Sequence, residues 1–370
     1  MKKRVLINAA NIHSGGAVQV ATSFIEELVS MNELDFNIVV SNEINKELKK
    51  LFVNTDLFKS YVIYDVYGFN VFFDLNFNKM LKNYELIFTI FGPLYTFKKP
   101  KKSIVGFAQP WIIYPENEIY LNFSFFNKIV SRFKYFIQKF FFFRADEIIV
   151  ELEHVKSKLK SFKSSKNIHV VHNCIASIFN KKDKWVDNFH LPDTKEIRLG
   201  ILSRDYPHKN LKILPIVAEI LKNKFNFNIK FLVTFTSDEW KKRDKNFHKY
   251  VENLGNLDIN QCPPFYNLID GLIFPSFLEC FSATPIEAMI MKKPVFASNR
   301  LFVRQVCKEC AVYFDPNDIN DIASKIYKYF SNDHSLRKIF LDKSYLRALN
   351  FNNPNKRAEK YVRIITNNLV

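Results

Sequence analysis

The sequence predicts an α/β protein built from two successive doubly wound, Rossmann-like domains, and three observations carry that expectation. Short apolar runs alternate with longer segments of helical period, the pattern of helices laid on parallel sheets. The pattern runs once, breaks in a polar stretch and starts afresh. The chain, at 370 residues, is too long for one ordinary core, and 48% hydrophobic against 25% charged residues supplies apolar material for two.

Val5-Leu6-Ile7-Asn8 reads as the first strand. A turn containing Gly15 and Gly16 follows, then a helix on which Val20, Ala21, Phe24 and Leu28 recur at helical spacing. Further strands are expected at 37–40, 85–89, 104–107, 147–150 and 168–171, which closes the first half. Residues 180–196 are polar, with Lys181, Lys182, Asp183, Pro192 and Asp193, and read as a linker or an extended excursion. The second half offers strands at 197–202, 229–233, 272–274, 294–297 and 311–314. A helical tail begins at Asp333 and is interrupted at Asn352-Asn353-Pro354. The expected division is 1–175, 176–345 and a C-terminal helix within 346–370. Ligands of such sheets collect at the carboxyl ends of the strands, where turns lead into helices.

Lys and Arg number 54 against 37 Asp and Glu, a formal net charge of +17. A surplus of that size implies an anionic partner: nucleic acid, acidic lipid or a phosphate-bearing substrate. A base-composition bias in the encoding genome, which would also explain the 39 phenylalanines, accounts for part of it. The five cysteines, an odd number scattered along a long chain, read as thiols of a reducing compartment. Cys307-Lys-Glu-Cys310 is half a zinc site at most, with no second pair at useful spacing. Met1-Lys-Lys-Arg4 begins like a signal peptide, but the apolar run behind it ends at Asn8 and Asn11. No stretch approaches the ~18 consecutive apolar residues of a spanning helix. A cytoplasmic location is expected.

The richest stretch is Phe274-Pro-Ser-Phe-Leu-Glu-Cys-Phe-Ser-Ala-Thr-Pro-Ile-Glu-Ala-Met289. A buried strand ends at Phe274, and a helix is expected to begin near Thr284-Pro285, with Pro285 in its first turn and Thr284 a candidate cap. The amides of Phe281 to Ile286, those of Ser282 and Ala283 included, would then face a ligand at a helix N-terminus, where phosphate is favoured. Glu279 precedes that turn and Glu287 lies within it, so one carboxylate can face a sugar while the other reaches a neighbouring hydroxyl. The plain alternative makes Glu279 a loop surface charge and Glu287 a first-turn acid complementing the helix dipole, and taken alone Glu287 fits that alternative better. In Leu202-Ser-Arg-Asp-Tyr-Pro-His-Lys-Asn210, Arg204 and Lys209 follow the carboxyl end of a strand. Two cations there can neutralise a departing diphosphate without a metal. His208 reads as a loop or packing residue. Gly15 and Gly16 let backbone approach a ligand closely, yet G-x-G-x-x-G is absent, so a dinucleotide cofactor is poorly supported.

These motifs resemble the signature of glycosyltransferase family 4, the retaining two-domain enzymes of the GT-B fold that build bacterial surface polysaccharides. Glu279 and Glu287, with seven residues between them, carry the likeness. It continues through Lys293-Pro-Val-Phe-Ala-Ser298, Arg304-Gln-Val306, Val312-Tyr-Phe-Asp-Pro316 and Ile322-Ala323. Cys280 and Ser282 stand where relatives often carry glycines, which implies a tighter pocket. The resemblance implies two Rossmann-like domains facing a central cleft, with the C-terminal helix crossing back over the first. It implies transfer of a hexose-type sugar from a UDP- or GDP-sugar to a glycan or polyprenyl-diphosphate-linked acceptor, with retention and with no metal or other cofactor. Arg204 and Lys209 would stabilise the leaving diphosphate, Glu279 would orient the donor sugar and Glu287 would hold the ribose. Gly15 and Gly16 would close on donor phosphates and acceptor. Gln109 stands near where relatives place a His or Asp; a hydrogen bond to a sugar hydroxyl and an ordinary strand-end role fit it equally.

Residues 123–144 hold five cations (Lys128, Arg132, Lys134, Lys139, Arg144), no acid and many phenylalanines. On a helical wheel Lys128, Arg132 and Lys139 share one edge, beside a face of Ile129, Phe133, Phe136, Ile137 and Phe140. Such a helix lies on an anionic membrane surface or covers the first domain, and the sequence leaves both open. A location at the inner face of the plasma membrane follows from the first. No Asp-x-Asp, Walker loop, HExxH or GxSxG occurs. Two rivals remain: a nucleotide-sugar epimerase of similar fold, and a non-enzymatic basic protein binding membrane or nucleic acid. The concentration of aromatic and basic residues in one segment disfavours nucleic acid.

Overall fold

A parallel sheet covered by helices on both faces needs strands that are apolar throughout, and the central strands here are unbroken runs such as Val5-Leu-Ile and Gly271-Leu-Ile-Phe274. The computed structural model describes residues 4–33, 35–351 and 353–369. The basic opening Met1-Lys2-Lys3 and Asn352 of the expected tail break lie outside the described residues.

Two all-parallel sheets result. The first comprises β1 (Val5–Ala9), β2 (Asn37–Val40), β3 (Ser60–Ile63), β4 (Leu86–Thr89), β5 (Lys102–Gly106), β6 (Glu147–Val150) and β7 (Asn167–Val170). Their spatial order is β3-β2-β1-β4-β5-β6-β7. The second comprises β8 (Ile197–Ile201), β9 (Ile229–Val233), β10 (Val251–Asn253), β11 (Gly271–Phe274), β12 (Val295–Ser298) and β13 (Val312–Phe314). Their order is β10-β9-β8-β11-β12-β13. Both sheets wind outward from their first strand in two directions, the doubly wound arrangement the sequence predicts.

Two strands escape the sequence reading, β3 and β10. Both are edge strands, paired on one side only. β3 is half exposed and β10 reads Val-Glu-Asn, so neither shows the apolar run of a two-sided strand. β3 is instead tied by side chains: Ser60 Oγ donates to Asn37 Oδ1 at 2.9 Å, and Asn37 Nδ2 donates to the Val5 carbonyl at 2.9 Å.

The chain divides into two compact units. The first holds Met1–Pro115, Phe123–Ala176 and Asn352–Val370; the second holds Glu116–Asn122 and Ser177–Phe351. Relative to the expected division, the short segment Glu116–Asn122 goes with the second unit, where Arg300 is paired with Glu118. Helix His334–Leu349 also stays there.

In the first unit the C-terminal helix Pro354–Asn367 packs on helix Gly16–Ser30. The Tyr361 ring meets Phe24 at 5.1 Å and Phe88 at 5.4 Å. Arg357 is only 2% exposed; its terminal nitrogens donate to Asn173 Oδ1 at 2.5 Å and Ser23 Oγ at 2.9 Å, while its Nε meets no acceptor among the described residues. A charge buried that deeply is tolerated only with such partners.

Candidate active site

In the second sheet the winding reverses between β8 and β11, which are neighbours with Leu199 opposite Gly271 and Gly200 opposite Leu272. Loops leaving the carboxyl ends of two such strands part, and ligands settle where they part. The loop after β8 carries Arg204 and Lys209; the loop after β11 carries Glu279. The Phe277 amide donates to the His208 carbonyl at 2.8 Å and stitches the two loops together. Ser298 Oγ, at the end of β12, donates to the Ser276 carbonyl at 2.7 Å and anchors the second loop from its other side.

This stitching brings Lys209 Nζ to 2.5 Å from Glu279 Oε1, with both side chains largely buried. Lys209 also lies over the Phe274 ring, 5.4 Å from its centroid. Asn210 sets the direction of Lys209. Its backbone is left-handed (φ 56°), a conformation Asn tolerates better than most residues, and its buried Nδ2 donates to the Pro316 carbonyl at 3.0 Å. His208, read from sequence as a packing residue, joins the site: its Nε2 is 3.8 Å from Glu279 Oε1 and its ring stacks on Tyr206. Burial holds its pKa below the ordinary value, so the imidazole beside the lysine is biased toward its neutral form.

Arg204 is held by a carboxylate that sequence reasoning missed. Its Nε donates to Glu239 Oε1 and Oε2 at 2.9 and 3.0 Å. Glu239 is itself fixed by the capping box of helix Ser237–Lys241, receiving the Thr236 amide at 2.9 Å. Burial acts to raise the Glu239 carboxyl, but the bonds from Thr236 and Arg204 outweigh it and hold the pKa low. The signal was present as Thr236-Ser-Asp-Glu239, a capping-box pattern. The terminal nitrogens of Arg204 meet no acceptor among the described residues.

Helix Thr284–Ile290 begins where the sequence placed it, but Thr284 is its first residue rather than its cap: Ala283 precedes it, no side chain caps it, and the Ile286 amide is spent on the Ala283 carbonyl at 2.9 Å. Thr284 Oγ1 instead meets Ser282 Oγ at 3.1 Å. No acceptor meets the amides of Phe281, Ser282 and Ala283 among the described residues. Cys280 and Ser282 do not need a left-handed backbone, so the glycines of relatives are not demanded here by conformation. Glu287 is buried, and the Tyr266 hydroxyl donates to its Oε2 at 2.8 Å. Burial pushes the Glu287 carboxyl up to about 7, against the pull of that hydrogen bond.

The other predicted residues lie in the first unit, on loops and helices of its own sheet. Gly15 (φ 70°, ψ −161°) adopts a backbone open to glycine and precedes helix Gly16–Ser30, whose first residue is Gly16. Gln109 precedes helix Pro110–Ile113 and donates to Gln138 Oε1 at 3.1 Å. On helix Phe125–Arg144 the predicted basic edge is uneven: Arg132 is exposed, Lys128 is half-buried, and Lys139 lies over the Phe162 ring at 3.5 Å. Burial there lowers the Lys139 pKa. Among the described residues no three His, Cys, Asp or Glu side chains converge as metal ligands would, and no helix is long and apolar enough to cross a membrane.

Fold and site together define an architecture, the GT-B fold of two Rossmann-like units, and comparison with known proteins gives the same architecture. Residues 196–332 match the family described as glycosyl transferases group 1. The chain is 25% identical over 257 residues to the capsular polysaccharide biosynthesis glycosyltransferase CapM of Staphylococcus aureus, covering 65% of this chain and 67% of that one. Two solved structures share the whole fold. Sucrose-phosphate synthase from Thermosynechococcus elongatus superposes with a TM-score of 0.70 at 15% identity, covering 99% of both chains. HepE of Anabaena, in complex with UDP-glucose, does so with a TM-score of 0.66 at 12% identity, again over 99% of both. The resemblance carried by residues 275–323 to surface-polysaccharide glycosyltransferases is thereby borne out.

Proposed function

We propose that the chain is a retaining, metal-independent glycosyltransferase that moves a hexose-type sugar from a UDP- or GDP-sugar to a glycan or polyprenyl-diphosphate-linked acceptor of a cell-surface polysaccharide. The observation that carries this reading is the Lys209–Glu279 pair at the winding reversal of the second sheet. The name of CapM supports the polysaccharide, and the UDP-glucose bound to HepE supports the donor class.

As the bond between anomeric carbon and diphosphate oxygen breaks, negative charge grows on the diphosphate. Lys209, the terminal nitrogens of Arg204 and the amides of Phe281, Ser282 and Ala283 are donors fixed before reaction, so they stabilise that charge without reorganising. An entering diphosphate competes for Lys209 and frees Glu279 to accept hydroxyls of the donor sugar. Glu287 accepts ribose hydroxyls once ionised. Gly15 and Gly16 contribute backbone contacts to donor phosphate and acceptor, and Gln109 a hydrogen bond on the sugar side. The acceptor oxygen attacks from the face the leaving group vacates, and its proton passes to the departing phosphate oxygen. No protein base is then required, and catalysis rests on positioning and electrostatics.

The test is incubation with UDP- and GDP-sugars and lipid-linked acceptors, with nucleotide release and product anomeric configuration both measured. Release of nucleoside diphosphate with a retained anomeric centre, unchanged in excess EDTA, is the expected result. Inversion, or activity lost to EDTA and restored by a divalent metal, would refute the mechanism.

A further inference from the structure

Long helices on a soluble domain turn their apolar stripe inward, and helix Phe125–Arg144 does the reverse. Its inward positions are Ser131, Tyr135, Gln138 and Phe142, of which Tyr135 stacks on Trp111 and Gln138 holds Gln109. The phenylalanines point away: Phe125, Phe126, Phe133, Phe136 and Phe140 are each between 58% and 82% exposed. Phe142 alone of the helix is buried. The exposed row does not stop at the helix end. Phe140 meets Phe141 at 5.3 Å, Phe141 meets Phe72 at 5.2 Å, and Phe72 meets Phe97 at 4.7 Å. Phe97 is 73% exposed, and beside it Lys98 and Lys99 are exposed as well. Arg144 locks this junction by donating to the Thr96 carbonyl at 2.7 Å and the Phe97 carbonyl at 2.9 Å.

We propose that this ridge, the outward face of Phe125–Arg144 continued through Phe97, docks the protein on an anionic lipid surface. Apolar patches this continuous are rarely left in water by a folded domain. The charge names the occupant. Between Phe123 and Arg144 there are five cations and no acid, and Lys98 extends the same sign, whereas Lys99 is paired with Asp146 at 2.6 Å. Aromatic side chains enter the headgroup boundary while neighbouring Lys and Arg pair with acidic lipid. A second copy of the chain fits less well, because a two-fold contact would set Arg132 and Lys134 against themselves. The cations that serve are chiefly Arg132 and Lys134, both exposed, rather than Lys139, which is folded onto Phe162. The inference goes beyond the transfer chemistry and stands without it.

Wild type, a Phe133→Ser/Phe136→Ser/Phe140→Ser variant and an Arg132→Glu/Lys134→Glu variant are sedimented with phosphatidylglycerol vesicles and, separately, with phosphatidylcholine vesicles. Melting with and without UDP- and GDP-sugars is followed on all three. Wild type is expected to bind phosphatidylglycerol more tightly than phosphatidylcholine. The serine variant should lose about tenfold or more on either lipid, and the glutamate variant should lose chiefly on phosphatidylglycerol. All three should melt alike, because the changed side chains are exposed. Wild type left in the supernatant, or a serine variant that sediments equally well, overturns the proposal. So does a wild-type dimer, abolished by the serine changes, that binds no vesicles. Vesicle binding without nucleotide-sugar stabilisation would sink the transferase reading and leave the docking surface standing.

Discussion

A carboxylate buried beside a tyrosine hydroxyl titrates late, and Glu287 is in that position. Its folded pKa is raised from 4.5 to about 7, so its contribution to stability is fully present below 4.5 and is lost as pH rises through 7. Denaturant titrations should show a stability loss on the order of 3 kcal/mol across that window, absent in Glu287→Gln. Donor binding should run the other way. Ribose hydroxyls donate to the ionised carboxylate, so affinity for a nucleotide sugar, whose diphosphate does not titrate here, should rise from pH 6 to pH 8. A flat profile in wild type would remove Glu287 from the ribose. At Glu279, Glu279→Gln should keep the fold while abolishing transfer. It leaves Lys209 without its carboxylate, so a stability cost of about 1–3 kcal/mol accompanies the loss. Near-normal turnover by the folded variant would end the role assigned to it.

At the scale of elements, the central strands were legible because burial on both faces writes itself as an apolar run. β2, β6 and β9 lie where the sequence placed them. Edge strands β3 and β10 were silent for the opposite reason. The site was legible where loops follow strands, since Arg204, Lys209, Glu279 and Glu287 all stand next to strand ends or helix starts. What the sequence withheld were the partners brought from elsewhere in the chain: Glu239 for Arg204, Tyr266 for Glu287, and the Phe277–His208 stitch. Backbone stitches carry no side-chain signature at all. Asn210 is the element-level test. Asn210→Ala puts at φ 56° a residue that tolerates the left-handed region less well than Asn and removes the bond to Pro316, which should cost about 1–3 kcal/mol and lower activity by misdirecting Lys209. Asn210→Gly should recover part of the stability, since only the hydrogen bond is then lost. Equal losses in both would show that the left-handed turn is not what matters.

Across the whole molecule, the first unit depends on a helix from the far end of the chain. Arg357 is its polar anchor, and Arg357→Leu would leave Asn173 and Ser23 without their guanidinium. A loss of about 1–3 kcal/mol is expected from the polar groups left unpaired, confined to the first unit. Calorimetry should then resolve an early transition of the first unit from a later one of the second. A single unshifted transition would contradict that arrangement. The central claim is that the second unit stabilises a departing diphosphate with a fixed lysine, and single-turnover nucleotide release in Lys209→Ala tests it most directly. With fold and donor binding verified, release should slow by roughly 100-fold or more, the scale of losing one preorganised stabilising group. Release within about threefold of wild type would contradict the account, because no charge at the departing group would then depend on Lys209.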